Sequence, residues 1–512
     1  LMTGIQYRIW AGSLSNRANF AWLFLDRQIQ FCLKAERYIN SYLRHKHGMA
    51  VATGEASTFA VAEDGTFFAW GQDNYGEIGI IRSNTETPTR VATLPSSSGP
   101  VRQVSVGGWH TGIVTEVGNL FMCGRGSYGR LGLGDSHHKR TPTLVGRAAF
   151  DGDAVLMVAC GAEHTAVVTE GGNVYTFGHG EYGRLGHGDN QDQPIPRRIP
   201  AELFNGEQVM MVAAGLFHTV ALTNVGHVFT WGHCLYGQLG HGNQENQSLP
   251  QQVEPEVFAT REAPFDQDKK VVFVSAGGHH TNAVTSAGRL YTWGVGFSGN
   301  LGHGDTGNRL VPTPVQGFGK PGGPEVAMTA CGVSHTLVVT QDGALWACGR
   351  GDSGQLGLND VVNRTVFERV GGVDFHGVKV VAAVAGYQHS AAVTEDGALW
   401  TWGNGNFGRL GHGGNISRLV PTIVPRARFH GLRIGRCRVL PKAHAFAFLM
   451  GTKRLEKNTS NVKKLPGGMS LVPMICRWCA TVLPGMAGRM EGLMRLCGGF
   501  HAWRQQRVLG VN

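Results

Sequence analysis

The feature that most constrains this 512-residue chain is a block of sequence that recurs seven times between residues 49 and 450. Copies of stretches such as GHGEYGRLGHGD, which begins at Gly178, are spaced by 53 to 62 residues, most often 54. The repeats lack the 3.6-residue apolar period of an amphipathic helix, so they predict a propeller, a solenoid or a similar array. Five copies contain the Gly-x-Gly-x-x-Gly spacing of dinucleotide sites, but each such site would need its own strand and helix. We therefore interpret the stretch as a loop of the repeat and expect no cofactor.

A single repeat indicates how its strands are arranged. Residues 209–232 alternate apolar and polar side chains on both sides of Asn-Val-Gly-His, which predicts a hairpin with Gly226 in its turn. The Trp-Gly pair that follows, Trp231 and Gly232, predicts a large buried ring at a point where a backbone comes so close that only glycine fits. The segment after the next loop contains proline, which predicts an outer strand of the sheet. The 76 glycines of the chain accordingly indicate many tight turns between short strands.

Residues that recur in every copy are predicted to be scaffold, because chemistry is rarely performed seven times in one chain. A G-x-x-H motif recurs in six copies, and Ser57 replaces its histidine in the first. We expect these imidazoles to bridge strands and the recurring tryptophans to be buried. The predicted structural residues are His110, His164, His218, His280, His335, His389, Trp70, Trp231, Trp293 and Trp402. The HGD pieces at 187–189 and 303–305 are read as turns, since His and Asp two residues apart do not form a metal shell alone.

Together, G-x-x-H-T, D-G-x-[LV]-[WY]-x-W-G, G-[QR]-L-G and P-x-x-V resemble the repeat of the regulator of chromosome condensation family over residues 49–450. The resemblance implies an all-β fold, a seven-bladed β-propeller of four-stranded antiparallel blades. Closure of the ring would leave no free sheet edges. Either chain end could supply the closing strands. We favour the N-terminal segment at residues 50–65, which is continuous with its hairpin, over a degenerate eighth half-copy around His444.

Function is expected where the repeats differ from one another. The two x residues of G-x-x-H lie between strands, so seven such pairs should ring one face. Rigid aromatic rings and a few charges dominate protein interfaces, and we predict a non-enzymatic scaffold that binds a protein partner through this face. The predicted partner-binding residues are Glu55, Trp109, Glu163, Phe217, His279, Tyr387 and Gln388. An alternative for the apolar members is that Leu216, Phe217 and Val333 fill the central channel.

The resemblance also implies an alternative function, guanine-nucleotide exchange. In the founding member of that family this face contacts the small GTPase Ran, and acidic and histidine side chains promote nucleotide release. Glu55, Glu163 and His279 occupy matching positions, whereas other positions carry aromatic or apolar groups in place of polar ones: Trp109, Phe217, Val333 and Tyr387. The long insertion near residues 259–268 is charged and lacks the strand alternation of the wedge that such exchangers use. Exchange therefore stays an alternative.

Two further functions are known among relatives of this family. A propeller fragment of a HECT-type ubiquitin ligase is a second alternative. Ultraviolet-B sensing relies on tryptophans placed two residues before the histidine in adjacent blades. This chain has only Trp109, directly before His110, so that function is not expected.

The two flanks carry the positive charge of the chain, which is +10 overall. Residues 1–48 carry +5 and residues 451–512 carry +8, so residues 49–450 carry −3. Nucleic acid could therefore be bound only through the flanks. We expect residues 1–48 to be a helical or non-native segment and residues 451–512 to be a disordered tail. A zinc site in that tail is the alternative, with Cys476, Cys479, Cys497 and His501 as ligands.

The cellular location can be predicted from what the sequence contains and lacks. The ten scattered cysteines favour a reducing compartment. No apolar run reaches the ~18–20 residues of a membrane helix, and the N-terminus lacks a secretory signal pattern. We therefore expect a monomer in the cytoplasm or the nucleus, or in both, that does not contact a membrane.

Overall fold

A computed structural model of the protein describes residues 50–80, 84–91, 94–258, 270–319, 322–371 and 375–435. These residues form seven sheets of four antiparallel strands, and each sheet follows the order of the chain. The prediction of an all-β, seven-bladed propeller is thereby confirmed. Both flanks, the insertion at 259–269, His444 and the four candidate zinc ligands lie outside the described residues. No helix among the described residues is long and apolar enough to cross a membrane.

The 28 strands have closely similar lengths in all seven blades. Their bounds are β1–β4 at Val51–Thr53, Ser57–Val61, Phe67–Gly71 and Thr85–Arg90; β5–β8 at Val101–Val106, His110–Thr115, Leu120–Gly124 and Lys139–Val145; β9–β12 at Val155–Cys160, His164–Thr169, Val174–Gly178 and Gln193–Arg198; β13–β16 at Val209–Ala214, His218–Thr223, Val228–Gly232 and Gln247–Gln252; β17–β20 at Val271–Ala276, His280–Thr285, Leu290–Gly294 and Arg309–Pro314; β21–β24 at Val326–Cys331, His335–Thr340, Leu345–Gly349 and Arg364–Arg369; and β25–β28 at Val380–Ala385, His389–Thr394, Leu399–Gly403 and Arg418–Ile423.

Short 3₁₀ turns connect many of the strands in the described part of the chain. They span Ser96–Ser98, Ser127–Gly129, Arg147–Phe150, Glu181–Gly183, Ala201–Phe204, Pro255–Phe258, Phe375–Gly377, Asn406–Gly408 and Arg426–Phe429.

The fourth blade shows why the sequence pattern produces this sheet. Strands β14 and β15 pair so that His218 lies opposite Gly232 and Thr219 opposite Trp231. Gly226, in the turn between them, has a φ of +100°, as the hairpin prediction requires. A Cβ on Gly232 would lie 2.6 Å from the carbonyl oxygen of Phe217, so only glycine allows the two backbones to come this close.

The repeated histidines join each blade to the next. Each Nε2 lies 2.9–3.0 Å from a hydroxyl on the second strand of the following blade, as in His110 with Thr165 and His335 with Ser390. That hydroxyl already donates to a backbone carbonyl of the preceding blade, for example Thr165 to Arg130. The hydroxyl oxygen must therefore accept from the imidazole, so Nε2 carries the proton. The six imidazoles form a ring of bonds between blades, and Ser57 occupies the seventh position.

The first glycine of G-x-x-H is required by this ring. A Cβ on Gly215 would lie 2.4 Å from Cε1 of His218 and 2.5 Å from the carbonyl oxygen of Gly277 in the next blade. The other five G-x-x-H glycines make equivalent approaches. The motif is therefore a packing element of the ring.

The ring closes between the first and the last blade. Strand β1 pairs with β2, so all four strands of the first blade come from residues 51–90. His389 of the last blade bonds Thr58 of the first at 2.9 Å. The backbone N–H of Tyr387 donates to Gly54, and Ala62 forms a β-bridge with Ile434. The structure thus agrees with the N-terminal alternative for the first blade.

The core lies between neighbouring blades, and the four repeated tryptophans are fully buried in it. In the fourth blade, Phe204 packs against Phe229 and Trp231 with ring centroids 5.4 and 6.1 Å apart. Trp70 donates its indole N–H to the carbonyl of Arg409 in the last blade, at 2.9 Å. The rings therefore stabilise both the sheets and the contacts between them.

Candidate protein-binding rim

Two loops of each blade meet at one edge of the propeller. The first is the G-x-x-H loop, and the second follows the third strand. They are joined by backbone bonds, such as those from Arg125 to Trp109 (2.8 Å) and from His179 to Glu163 (3.0 Å). We call this surface the loop rim. It comprises residues 55–56, 108–109, 162–163, 216–217, 278–279, 333–334 and 387–388, with residues 72–77, 125–130, 179–184, 233–238, 295–300, 350–355 and 404–409.

All seven residues predicted to bind a partner lie on the loop rim. Tyr387 is the most open of them, with 40% of its surface exposed. The other six are partly exposed: Glu55, Trp109, Glu163, Phe217, His279 and Gln388. Leu216 and Val333 are also partly exposed, so the channel-filling alternative stays open for them.

The second loop contributes a set of aromatic residues that the sequence analysis missed. Four residues after the glycine that ends the third strand, five of the seven blades carry an aromatic side chain: Tyr75, Tyr128, Tyr182, Tyr236 and Phe407. Tyr128, Tyr182 and Phe407 have φ values of 61–63°, a left-handed conformation that costs a non-glycine residue roughly 1–2 kcal/mol. These three rings are nevertheless 36–43% exposed. The sequence signal is the aromatic residue in G-x-x-x-[YF]-G, which resembles scaffold because it recurs.

Buried arginines hold the aromatic loops in place. Arg130, which is fully buried, donates to the carbonyls of Ser127 in its own loop and Ala162 in the next blade. Arg409 likewise donates to the backbone carbonyls of Asn406 in its own loop and Glu55 in the first blade. Burial lowers the pKa of both guanidinium groups to about 10, so both remain charged at neutral pH. Because each arginine bonds two blades, the exposed rings rest on a fixed support.

The two glutamates predicted to bind a partner interact with arginines of the rim. Glu163 accepts from Arg130 at 3.2 Å and lies 3.0 Å from Nδ1 of His179. Burial acts to raise the pKa of Glu163, but these basic neighbours hold it below its ordinary value. Burial raises the pKa of Glu55, and the nearby charge of Arg409 opposes that shift. The carboxylate of Glu163 and the backbone carbonyl of Glu55 therefore both take part in the arginine supports.

Blades three to five share a continuous aromatic cluster. Phe217 and His279 stack with centroids 5.4 Å apart, and Tyr182 lies 4.7 Å from His233. Tyr236 continues the cluster to Phe297, which is 63% exposed. Beneath it, the fully buried Arg184 lies 4.9 Å from the ring of Phe217. Burial lowers the pKa of His279 to about 4, so the imidazole is neutral at pH 7 and adds no charge to the cluster.

The histidines of the HGD turns have a structural partner. His187 and His303 lie 2.9 Å from the hydroxyls of Thr176 and Thr292 on their own blades. The described part of the chain contains no group of three or more His, Cys, Asp or Glu side chains that could hold a metal ion.

The repeats match established family models across most of the propeller. Residues 64–114, 117–168 and 171–222 match the regulator of chromosome condensation (RCC1) repeat, and residues 200–437 match the RCC1-like domain. The chain is also 35% identical over 322 residues to the ultraviolet-B receptor UVR8 of Arabidopsis thaliana, covering 63% of this chain and 69% of that protein. The chain belongs to the RCC1 repeat family.

Other RCC1 relatives support the same family and fold. The secretion-regulating guanine nucleotide exchange factor of Bos taurus is 30% identical over 410 residues, covering 74% of this chain and 83% of that protein. The crystal structure of Prp20p from Saccharomyces cerevisiae has a TM-score of 0.62 at 22% identity. It covers 80% of this chain and 97% of that one, and it shows the shared fold.

Proposed function

We propose that this RCC1 propeller is a non-enzymatic scaffold that binds a protein partner through the loop rim. The observation that carries the proposal is the set of exposed aromatic rings in strained left-handed loops, with Tyr128 and Tyr182 as examples. Backbone strain of this kind persists where the surroundings enforce it, and it concentrates at functional sites. Large exposed aromatic side chains are typical anchors of protein interfaces.

The rigidity of the rim supports binding at low entropic cost. Arg130 and Arg409 fix the loops of Tyr128 and Phe407 to the neighbouring blade, as described above. Few side chains must then lose freedom when a partner binds, so more of the contact energy contributes to affinity. The cluster from Tyr182 to Phe297 joins aromatic rings of three successive blades, and we expect the main contacts there.

Guanine-nucleotide exchange remains the alternative. It is favoured by the similarity to a bovine protein named as an exchange factor, and by the likeness to Prp20p, which binds Gsp1p and histones. The rim chemistry favours the scaffold: Glu163 is paired with Arg130 and His179, and His279 is neutral and packed among aromatic rings. An exchange factor would need these groups to act on the GTPase.

The experiment compares two matched triple variants in a pull-down. The rim variant replaces Tyr182, Tyr236 and Phe297 by Ala. The control variant replaces three exposed aliphatic residues of the fourth strands by Ala: Ile195, Leu249 and Val311, which are 41–56% exposed. We expect the rim variant to lose the partner that wild type and control capture, at unchanged thermal stability.

A nucleotide-release assay on the captured protein then separates the two functions. The scaffold predicts no acceleration by wild type. Accelerated release that is lost on replacing Glu163 and His279 would establish the exchange function, and equal capture by the rim variant would show that the partner binds elsewhere.

A further inference from the structure

Arg125 is held on the loop rim in a manner that leaves its charge unpaired. Its guanidinium carbon lies 5.3 Å from the ring centroid of Tyr75 and 5.2 Å from that of Trp109. Nε donates to the hydroxyl of Ser127 at 3.2 Å. Among the described residues, no carboxylate lies within 4.0 Å of this guanidinium, which is partly exposed. Two aromatic rings therefore orient a cation that has no acidic neighbour in the described part of the fold.

The same position of the sixth blade provides an internal comparison. Arg350 also follows the third strand directly, and its guanidinium bonds Asp352 at 2.6 and 2.7 Å. Asp352 stands where the second blade has Ser127. The fold can thus supply a carboxylate at this position, and the second blade does not.

Two buried acids of the first blade, Asp73 and Glu77, accept hydrogen bonds from backbone N–H groups of their own loop. Glu77 accepts from the N–H of Tyr75 at 2.7 Å, and Asp73 accepts from the N–H of Ile78 at 3.2 Å. Burial raises the pKa of Asp73 to about 6 and also raises that of Glu77, while the charge of Arg140 opposes both shifts.

An imidazole and a second guanidinium lie around Arg125. His138 packs edge-on against Tyr75 at 5.0 Å, and Arg140 is exposed nearby. Burial lowers the pKa of His138, and the positive charges of Arg125, Arg130 and Arg140 lower it further. Asp135, the acid on this loop, is already bonded to Lys139 at 3.0 Å. Arg125 and Arg140 therefore place two guanidinium groups at this part of the rim, and the charge of Arg140 also acts on the buried Asp73 and Glu77.

We propose that this arginine clamp, formed by Tyr75, Trp109, Arg125, His138 and Arg140, binds an acidic side chain in a peptide segment of the partner. The proposal rests on the proposed function and adds the chemistry of the partner. A guanidinium stacked on aromatic rings is oriented for a bidentate bond to a carboxylate, and little freedom is left to lose on binding. The aromatic rings beside it offer contacts for apolar residues that flank the acid.

The test measures fluorescence anisotropy with a fluorescein-labelled ten-residue peptide of alternating Glu and Leu, and with a Lys-Leu peptide as the control ligand. Three variants of the full chain are compared: Arg125→Gln, the matched Arg350→Gln, and Ser127→Asp, which supplies the carboxylate that Arg350 already has. We expect Arg125→Gln and Ser127→Asp to weaken binding of the acidic peptide about tenfold. Arg350→Gln should stay within twofold of wild type, and the Lys-Leu peptide should bind none of the proteins.

The clamp would be overturned by equal affinity of wild type and Arg125→Gln, by an equal loss in Arg350→Gln, or by displacement of the peptide by millimolar inorganic phosphate, which would mark a small-anion site. An Arg125-dependent dimer in sedimentation would make a second copy of the chain the occupant and contradict a separate partner. If the acidic peptide fails to bind while the rim triple variant still loses its partner, only the clamp is wrong, and the proposed function stands.

Discussion

The six buried histidines of the inter-blade ring predict a steep loss of stability in mild acid. Burial lowers the pKa of His110, His218 and His280 to about 3 and that of His335 to about 4, and it holds His164 and His389 well below their ordinary value. In the unfolded chain the same imidazoles titrate near pH 6.5. Between these values the unfolded state binds more protons than the folded state, so stability falls as the pH falls below about 6.5.

The magnitude follows from the same pKa values. From pH 7 to pH 5.5 each imidazole that protonates only on unfolding costs about 1.2 kcal/mol. Six such groups cost about 7–8 kcal/mol, which is comparable to the whole stability of many domains. We therefore expect the ring to open cooperatively in mild acid.

Urea unfolding, followed by the fluorescence of the buried tryptophans at several pH values, measures this effect. His218→Gln should reduce the slope of the unfolding free energy against pH by up to about 1.4 kcal/mol per pH unit. His137→Ala should leave the slope unchanged, because the side chain of His137 is 83% exposed. An unfolding free energy that is the same at pH 7 and pH 5.5 would refute the reasoning.

Two substitutions test the packing of the blades. Trp231→Ala removes a fully buried ring and should lower the free energy of unfolding by about 3–5 kcal/mol, measured by the urea midpoint; an unchanged midpoint would show that the ring is dispensable. Gly215→Ala places a Cβ 2.4 Å from the imidazole of His218 and should prevent folding or lower the melting temperature strongly. Gly146→Ala is the matched control, since no heavy atom lies within 4 Å of its added Cβ, and its melting temperature should match wild type.

The fold was predictable because the contacts that build it recur in the sequence. The same approach of glycine to imidazole, seen at Gly215 and His218, is made in six blades, so its two residues stand out as a motif. The G-x-x-H face could be predicted as a functional surface because its two x residues differ from blade to blade.

The missed part of the rim depends on contacts between blades. Treating recurring residues as scaffold overlooks Tyr128 and Tyr182, which recur and yet are exposed. The pairing of Glu163 with Arg130 joins residues of neighbouring blades, and only the packing of the third blade against the second brings them together. Likewise, the lack of a carboxylate partner for Arg125 becomes evident only when its contacts in the structure are compared with those of Arg350.

The central claim is that the loop rim binds a protein partner, and hydrogen–deuterium exchange of the chain with and without its captured partner tests it most directly. We predict slower exchange on binding in residues 125–130, 179–184 and 233–238. The outer strands β12 and β16 should exchange at the same rate in both states. Slower exchange confined to those outer strands, with no change in the rim loops, would contradict the claim.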